Sequence, residues 1–487
     1  MGPITALQSL INGAGLKARM ARGGLWMGGG NGVEHALRFV RNMVLTRILA
    51  PEALGLMAII SSVTAALEAF AELGIREAIV QNPAGDKDTY LNSAWFLSLI
   101  RAVGLLAVGM AISPYVITFY HIEYPVILVR IALLGILFNG LISARAYVAL
   151  KKMDYKKWVF IYQGGGIIGT LTTIVLVFFI RNVWALVIGF VVEAAMRCLI
   201  SYILCPYLPR LSFNAEHTKA LKTFSLGMLG LPVFYFIFMQ TDIFVLGRLC
   251  SKAELGVYSM AAVLAQAPAL LISVFINPIM MPVFSEINGQ YDRINRMLFQ
   301  ITRGLCYACF PALVFCALYA KDILSLVYGA PYGVVALPFA LIFMSTILRT
   351  CSAPLTTLYF ASGRPRLQRR FVIIRAALMV ALIYPLTVAL GLAGAALAGL
   401  LAMAIAYFFQ VFQCRRISGL DVTGYFALFG RGALLAAPVA VVWGLLPSTS
   451  LPVFLHLSMA AGACLLTYGI VFVFFHRFSN KKQVLPV

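Results

Sequence analysis

In the stretch NGVEHALRFVRN, Asn31, Glu34, Arg38 and Arg41 recur at spacings of three and four, with His35 and Asn42 beside them. On a helix that spacing gathers side chains into one polar stripe, here inside an otherwise apolar segment. Glu68, Glu72 and Arg76 follow at i, i+4 and i+8, a second stripe with two carboxylates one turn apart. Neighbouring carboxylates in low dielectric raise each other's proton affinity, so Glu68 and Glu72 are candidates to carry a proton or a cation. The alternative is simple pairing with Arg38, Arg41 or Arg76. Glu193 and Arg197 are spaced i, i+4 and read as an internal ion pair. Arg101 and Arg349 also lie deep in apolar stretches, and Asp242 is the one Asp well inside such a stretch.

Other chemistries find little support. HExxH is absent, no Ser/His/Asp set stands out, and the five His are dispersed. Gly28–Gly30 and Gly164–Gly166 have neither the strand before nor the Lys-Ser/Thr after that a phosphate loop needs. Small residues of this kind in membrane helices permit close packing or bending. Cys306 and Cys309 form a CxxC with no second pair and no His partner, so the nine cysteines read as small apolar packing residues rather than metal or redox groups. The segments between apolar runs are too short for a catalytic domain. The expectation is a chain that is not an enzyme and holds no metal.

The elements that must position these charges are membrane helices. Of 487 residues, 62% are hydrophobic and 11% charged, with mean hydropathy +0.92. That is a membrane composition, and runs of about 20 apolar residues suit a ~30 Å hydrocarbon core. Strand-like alternation is absent. Fourteen spans are expected, near 24–48, 53–80, 90–118, 124–149, 157–180, 183–207, 221–247, 253–284, 297–319, 331–360, 369–390, 392–414, 425–446 and 452–475. The charges in the first nearly hide it from hydropathy.

The net charge of +21 invites a nucleic-acid reading, which topology removes. With the N-terminus in the cytoplasm, twenty-two Lys and Arg fall in cytoplasmic segments, against five outside (Arg47, Arg181, Arg248, Lys252 and Lys321). Such a bias fixes both termini in the cytoplasm and leaves no need for nucleic acid. Ile4, Leu7 and Ile11, followed by Lys17, Arg19 and Arg22, suit an interfacial helix, with no cleavable signal peptide. Within the spans, Arg76, Arg145, Arg303, Arg375 and Arg431 lie close enough to cytoplasmic ends to snorkel, and Arg130 to the outer end.

One phrase occurs twice. LTRILAPEALG from Leu45 returns as LGRLCSKAELG from Leu246, with Arg47 on Arg248, Leu54 on Leu255 and Gly55 on Gly256 at an offset of 201. Both copies fall outside, after spans 1 and 7, as a parallel repeat about an axis along the membrane normal requires. The same offset sets Asp242 against Arg41. The fold class expected is an all-α polytopic membrane protein of about fourteen transmembrane helices, with two pseudo-symmetric six-helix lobes around a central cavity plus two C-terminal helices. The organisation is 1–23 interfacial N-terminus, 24–207 N-lobe, 208–220 linker, 221–414 C-lobe, and 415–487 the last two spans and tail.

These phrases resemble a known family. LTRILAPEALGLMAII with FAELGIREAIVQNP, through Arg47, Leu49, Pro51, Glu52, Gly55, Leu73, Gly74, Val80 and Gln81, is similar to the opening of the bacterial polysaccharide-transporter (Wzx-type) flippases; Leu54 replaces the family's aromatic. TDIFVLGRLCSKAELGVYSMAAVL resembles a second family phrase through Asp242, Gly247, Leu255, Gly256 and Tyr258. The resemblance implies the superfamily that also holds multidrug extruders and lipid II flippases. It further implies alternating access in the bacterial inner membrane, with an undecaprenyl-diphosphate-linked oligosaccharide turned from the inner to the outer leaflet. Its substrate would be that lipid-linked oligosaccharide, with membrane lipids and the polysaccharide polymerase and chain-length machinery as partners. No cofactor is implied beyond a coupling ion, H+ or Na+. Deep arginines suit a diphosphate or acidic sugar, because a desolvated guanidinium binds phosphate oxygens as a fork. On that reading Arg38, Arg41, Arg101 and Arg349 hold the headgroup, and Asn31, Asn42 and Gln240, with Gln266 and Gln300, meet sugar hydroxyls. Glu68, Glu72 and Asp242 then serve gating or ion coupling. Lipid II flipping is the runner-up, and a multidrug extruder, which wants an acidic cavity, comes behind it.

Overall fold

A computed structural model describes residues 16–70, 74–210, 231–287, 289–445 and 453–481, with Thr218 and Leu221. The elements described are helices alone. They are α1 (Leu16–Ile48), α2 (Pro51–Phe70), α3 (Ile75–Gln81), α4 (Asp88–Tyr120), α5 (Ile127–Gly140), α6 (Arg145–Lys151), α7 (Tyr155–Ile180) and α8 (Val183–Leu204). Then come α9 (Leu231–Leu249), α10 (Lys252–Glu286), α11 (Tyr291–Leu318) and α12 (Ala320–Tyr328). A 3₁₀ turn (Ala330–Val335) leads to α13 (Ala336–Ala361), α14 (Pro365–Ser418), α15 (Val422–Leu445) and α16 (Val453–Lys481).

The expected spans fall on these helices. Among the described residues nine are long and apolar enough to cross a membrane, or ten if α5 and α6, bent by 58° at their break, form one span. α1 is not among them because the charged stripe lowers its hydropathy. α14 is two spans in one: Gly391, at φ 59 and ψ −135, breaks it between the two stretches expected at 369–390 and 392–414. That backbone region is open to glycine almost alone. The next turn needs Gly394 as well, since a Cβ there would run into the carbonyl of Leu386.

Span 2 departs from expectation. A single uninterrupted helix does not run from Glu68 to Arg76, because Gly74 takes a left-handed conformation (φ 55) just before α3 begins. Arg76 therefore leaves the register of Glu68. The interfacial N-terminal segment and most of the 208–220 linker lie outside the described residues.

Packing divides the chain into two compact units, Met1–Gly256 and Val257–Val487. In the first, α7 packs along α8 and α1, α5 packs on α8 and α4, and α9 packs on α2. In the second, α13 pairs with α14, α11 with α15 and α13, and α15 with α16. Within the second unit Tyr359 Oη donates to the Gln410 carbonyl (2.7 Å), and Thr302 Oγ1 donates to Tyr425 Oη (3.1 Å). Arg375 does not snorkel. It is 3% exposed, with its guanidinium over the Phe371 ring and beside Met403 Sδ.

The repeated phrase has a structural consequence inside the first unit. Equivalent helices start by different devices: α2 by Pro51 at its first position, α10 by a capping box. There the Ser251 N–H donates to Glu254 Oε2 (2.9 Å) and the Glu254 N–H to Ser251 Oγ (3.2 Å). Their first turns then meet reciprocally. A Cβ on Gly55 would strike the carbonyl of Lys252, and a Cβ on Gly256 would strike the carbonyl of Pro51. Pro51 and Lys252 are themselves one repeat apart, so the contact is self-complementary, as a two-fold interface is. Gly55→Ala and Gly256→Ala should each destabilise the fold by ~1–3 kcal/mol, the cost of overpacking. Thermal unfolding of the singles and the double should show costs well short of additive, because both changes open one gap.

Candidate functional site

α7 reads YKKWVFIYQGGGIIGTLTT at its start, and its glycines form a trough. A Cβ on Gly165 would meet the Arg197 side chain of α8, one on Gly166 the Glu34 carboxylate of α1, and one on Gly169 the Cβ of Glu193. Charged side chains from α1 and α8 meet across this bare face. Glu193 Oε1 accepts from Arg38 Nη2 at 2.7 Å and from Arg197 Nη2 at 2.5 Å. Glu34 Oε1 accepts from Arg38 through Nε (3.0 Å) and Nη2 (2.8 Å), and lies 4.0 Å from Arg197 Nη2. Two guanidiniums and two carboxylates thus neutralise one another within the membrane helices. Arg197 is held further by its Nε on the Tyr162 carbonyl (3.3 Å) and by the Tyr162 ring beneath it. The internal Glu193–Arg197 pair read from the sequence is present, but as half of a larger network.

Beside this network the first unit encloses a cavity of about 520 Å³. Its charged lining is Glu68, Arg76, Glu77, Arg101 and Arg197; Asn139, Gln240, Tyr147, Tyr162 and Tyr235 add polar atoms and ring faces. Eight helices, α2 to α9, and the Gly74 turn contribute. Glu68 Oε1 accepts from Asn139 Nδ2 (3.1 Å), and Gln240 Oε1 from Ser62 Oγ (2.7 Å). Arg76 donates through Nε to Glu77 Oε1 (2.7 Å), the neighbour on α3. Trp158 stacks on Tyr162 at 4.1 Å between centroids and stiffens that wall.

Of the residues expected to act together, the cavity gathers Arg101, Glu68 and Gln240. Arg38 is turned to the ion network instead, and Arg41 donates to Asn42 Oδ1 (3.2 and 3.3 Å). Asn31 accepts from Gln163 Nε2 (2.7 Å) on α7, and Asn42 is buried. Asp242 Oδ1 accepts from the Ile243 N–H (2.9 Å). Arg349 belongs to the second unit, where it reaches Gln266 Oε1 at 3.5 Å. Glu72 lies outside the described residues. The sequence reading missed Tyr147, Tyr162, Tyr235 and Asn139, which carry no charge among apolar neighbours to mark them. It met Arg197 only as a structural pair. Arg145, expected to snorkel, is half exposed, binds Asp88 Oδ1 (2.9 Å) and lies over the Tyr207 ring. Burial, with Asp88 nearby, pushes the Tyr207 phenol up to about 12.

The described residues form a polytopic all-α membrane protein with a polar, arginine-lined cavity in its first unit. In fold the chain is similar to the solved structure "Lipid II flippase MurJ, inward closed conformation", with a TM-score of 0.77 at 14% identity, over 92% of this chain and 98% of that one. The chain belongs to the family described as "Polysaccharide biosynthesis protein", which matches residues 44–337. It is 22% identical over 382 residues to "Uncharacterized membrane protein in cps region" of Klebsiella pneumoniae, covering 77% of this chain and 78% of that one. It is 24% identical over 325 residues to "Succinoglycan biosynthesis transport protein ExoT" of Rhizobium meliloti (strain 1021), covering 65% and 64%.

The glycine trough makes a position-specific prediction. Gly166→Val should displace Glu34, break the four-charge network and lower the melting temperature by several degrees, since a half-broken buried ion set costs ~3–5 kcal/mol. Gly164→Ala, whose new Cβ would find only Ile200 at 3.6 Å, should melt as wild type does. Thermal unfolding of the two variants in one detergent compares them directly.

Proposed function

We propose that this protein carries an undecaprenyl-diphosphate-linked oligosaccharide repeat unit from the inner to the outer leaflet of the bacterial cytoplasmic membrane, for O-antigen, capsule or exopolysaccharide synthesis. The observation that carries the reading is the cavity of the first unit, where Arg76, Arg101 and Arg197 converge with amide and phenol groups. A cavity of about 520 Å³ is the size of a small-molecule site and suits a diphosphate with its first sugars. Guanidiniums in a partly dry site bind diphosphate oxygens as charge-assisted forks. Gln240, Asn139 and Tyr235 supply partners for sugar hydroxyls, and the apolar tail stays in lipid.

The orientation follows from the positive-inside bias, with both termini cytoplasmic. Arg101, Tyr147, Tyr162 and Arg197 then lie in the cytoplasmic halves of their spans, where a substrate loads from the inner leaflet. On the same orientation the reciprocal Gly55–Gly256 contact lies toward the outer side. Alternating access then moves the headgroup, with H+ or Na+ as coupling ion and Glu68 as its carboxylate. The reading is of a transporter, not an enzyme. The polymerase and chain-length machinery are its functional partners.

The curated relatives named for a cps region and for succinoglycan transport support the surface-polysaccharide branch. A lipid II flippase is the second reading, favoured by the fold likeness alone. An extruder of organic cations fits less well, because three arginines meet the ligand.

A clean deletion, complemented by wild type or by Arg101→Gln, tests this with surface polymer and lipid-linked intermediates quantified together. The expected result is loss of polymer with intact lipid-linked repeat units accumulating inside. Arg101→Gln should restore export roughly ten- to a hundredfold less well, the worth of one charge-assisted hydrogen bond. Normal polymer with drug hypersensitivity, or inviability with lipid II accumulation, would overturn the reading in favour of one rival.

A further inference from the structure

Arg197 belongs to two sites at once. It lines the cavity, and its Nη2 is committed to Glu193 Oε1 at 2.5 Å. Its Nε holds the Tyr162 carbonyl, and its Nη1 makes none of these bonds. Glu193 does not depend on Arg197 alone, because the same oxygen also accepts from Arg38 at 2.7 Å. Arg38 in turn is held by Glu34 through two nitrogens. A single carboxylate oxygen shared by two guanidiniums can lose one and remain neutralised by the other. An ordinary i, i+4 pair could not do this without stranding a buried carboxylate.

We infer that Glu193 is an internal stand-in for the substrate's diphosphate, which displaces it from Arg197, while Arg38 retains Glu193 during the exchange. The inference rests on the proposed diphosphate-linked substrate and adds to it the exchange of Arg197 between Glu193 and the diphosphate, with Arg38 as a positioning residue. The exchange requires little movement. Arg197 already faces the cavity, its stem lies on the bare Gly165 face of α7, and the Tyr162 ring supports its guanidinium at 5.7 Å. Two oxygens of a phosphate can accept a bidentate fork from Arg197, where Glu193 accepts through Oε1 alone, and they carry more negative charge. Affinity is thereby set by a difference: what Arg197 gains on the diphosphate less what it gives up on Glu193. Such a site binds firmly enough to load and loosely enough to release.

The test uses the full-length protein in nanodiscs with farnesyl diphosphate as the probe, Kd being measured by calorimetry and folding checked by thermal unfolding. Arg197→Gln is expected to weaken binding about tenfold or more, and Arg197→Lys to weaken it as well, because an ammonium cannot form the fork. Glu193→Gln is expected to tighten binding about tenfold, since the competitor for Arg197 loses its charge while its acceptor oxygen stays. Arg38→Gln should weaken binding, because Glu193 then holds Arg197 more closely. The double variant Arg38→Gln/Glu193→Gln should return to the Glu193→Gln affinity, a rescue that a merely structural role for Arg38 would not produce. Weakened binding in Glu193→Gln, or binding unchanged within about twofold in both Arg197 variants, would overturn the exchange while leaving the cavity reading intact through Arg101. No binding of farnesyl diphosphate by wild-type protein would overturn the diphosphate reading itself, and the exchange with it.

Discussion

One oxygen atom, Glu193 Oε1, holds two guanidiniums from two helices inside a fold whose exterior is lipid-like, and the arrangement of the first unit depends on it. An unpaired Arg at mid-helix costs ~2.5–3.5 kcal/mol on insertion scales, so α1 and α8 stay inserted with their charges only if those charges find each other. They meet across one bare face of α7. Side chains at Gly165, Gly166 and Gly169 would fill the space where Arg197, Glu34 and Glu193 now lie. The glycines of α7 are therefore the other half of the electrostatics: backbone left bare so that charge can meet charge.

Glycine acts in the same way where the repeated phrase meets itself. Gly55 and Gly256 let the first turns of α2 and α10 approach until backbone touches backbone. Near that contact, Lys252 Nζ donates to the Gly247 carbonyl (2.8 Å) and lies 5.8 Å from the centre of the Tyr120 ring. Burial, with Arg248 close by, lowers its pKa. A reciprocal contact between small residues has little side-chain interlock to undo. It is a contact of backbone on backbone, whereas the four-charge network joins its helices through side-chain charge.

Hydropathy and charge bias made most of the spans legible, because membrane insertion acts on composition averaged over about 20 residues. The split at Gly391 was legible for the same reason, as two apolar runs joined by too little chain for a loop. What stayed hidden were features set by single residues against distant neighbours. The left-handed Gly74 took Arg76 off the Glu68 face, and spacing alone carries no sign of it. α12 escaped notice because nine residues of amphipathic helix are too short for a span and sit where only a loop was expected. At the site, charge in apolar surroundings pointed to Arg38, Arg101, Arg197 and Glu68. It could not say which would line the cavity and which would be spent on one another, since that depends on helix rotation and on the glycines of a third helix. Tyr147, Tyr162 and Tyr235 gave no signal, because aromatics are ordinary in membrane helices.

This division of the arginines bears on what the cavity selects. Counted by type, the deep charges of the first unit argue for a strongly basic chamber. Paired as the structure pairs them, Arg38 and Arg197 meet Glu34 and Glu193, and Arg76 meets Glu77, so most of that excess is cancelled at rest. A permanently basic chamber would attract any anion and release a diphosphate slowly. A self-neutralised one favours a ligand able to outcompete a carboxylate for a guanidinium, as the proposed diphosphate would through charge and number of oxygens. On that proposal selectivity arises from internal competition as much as from pocket shape, and Glu193 is the carboxylate that would reclaim Arg197 when the headgroup leaves.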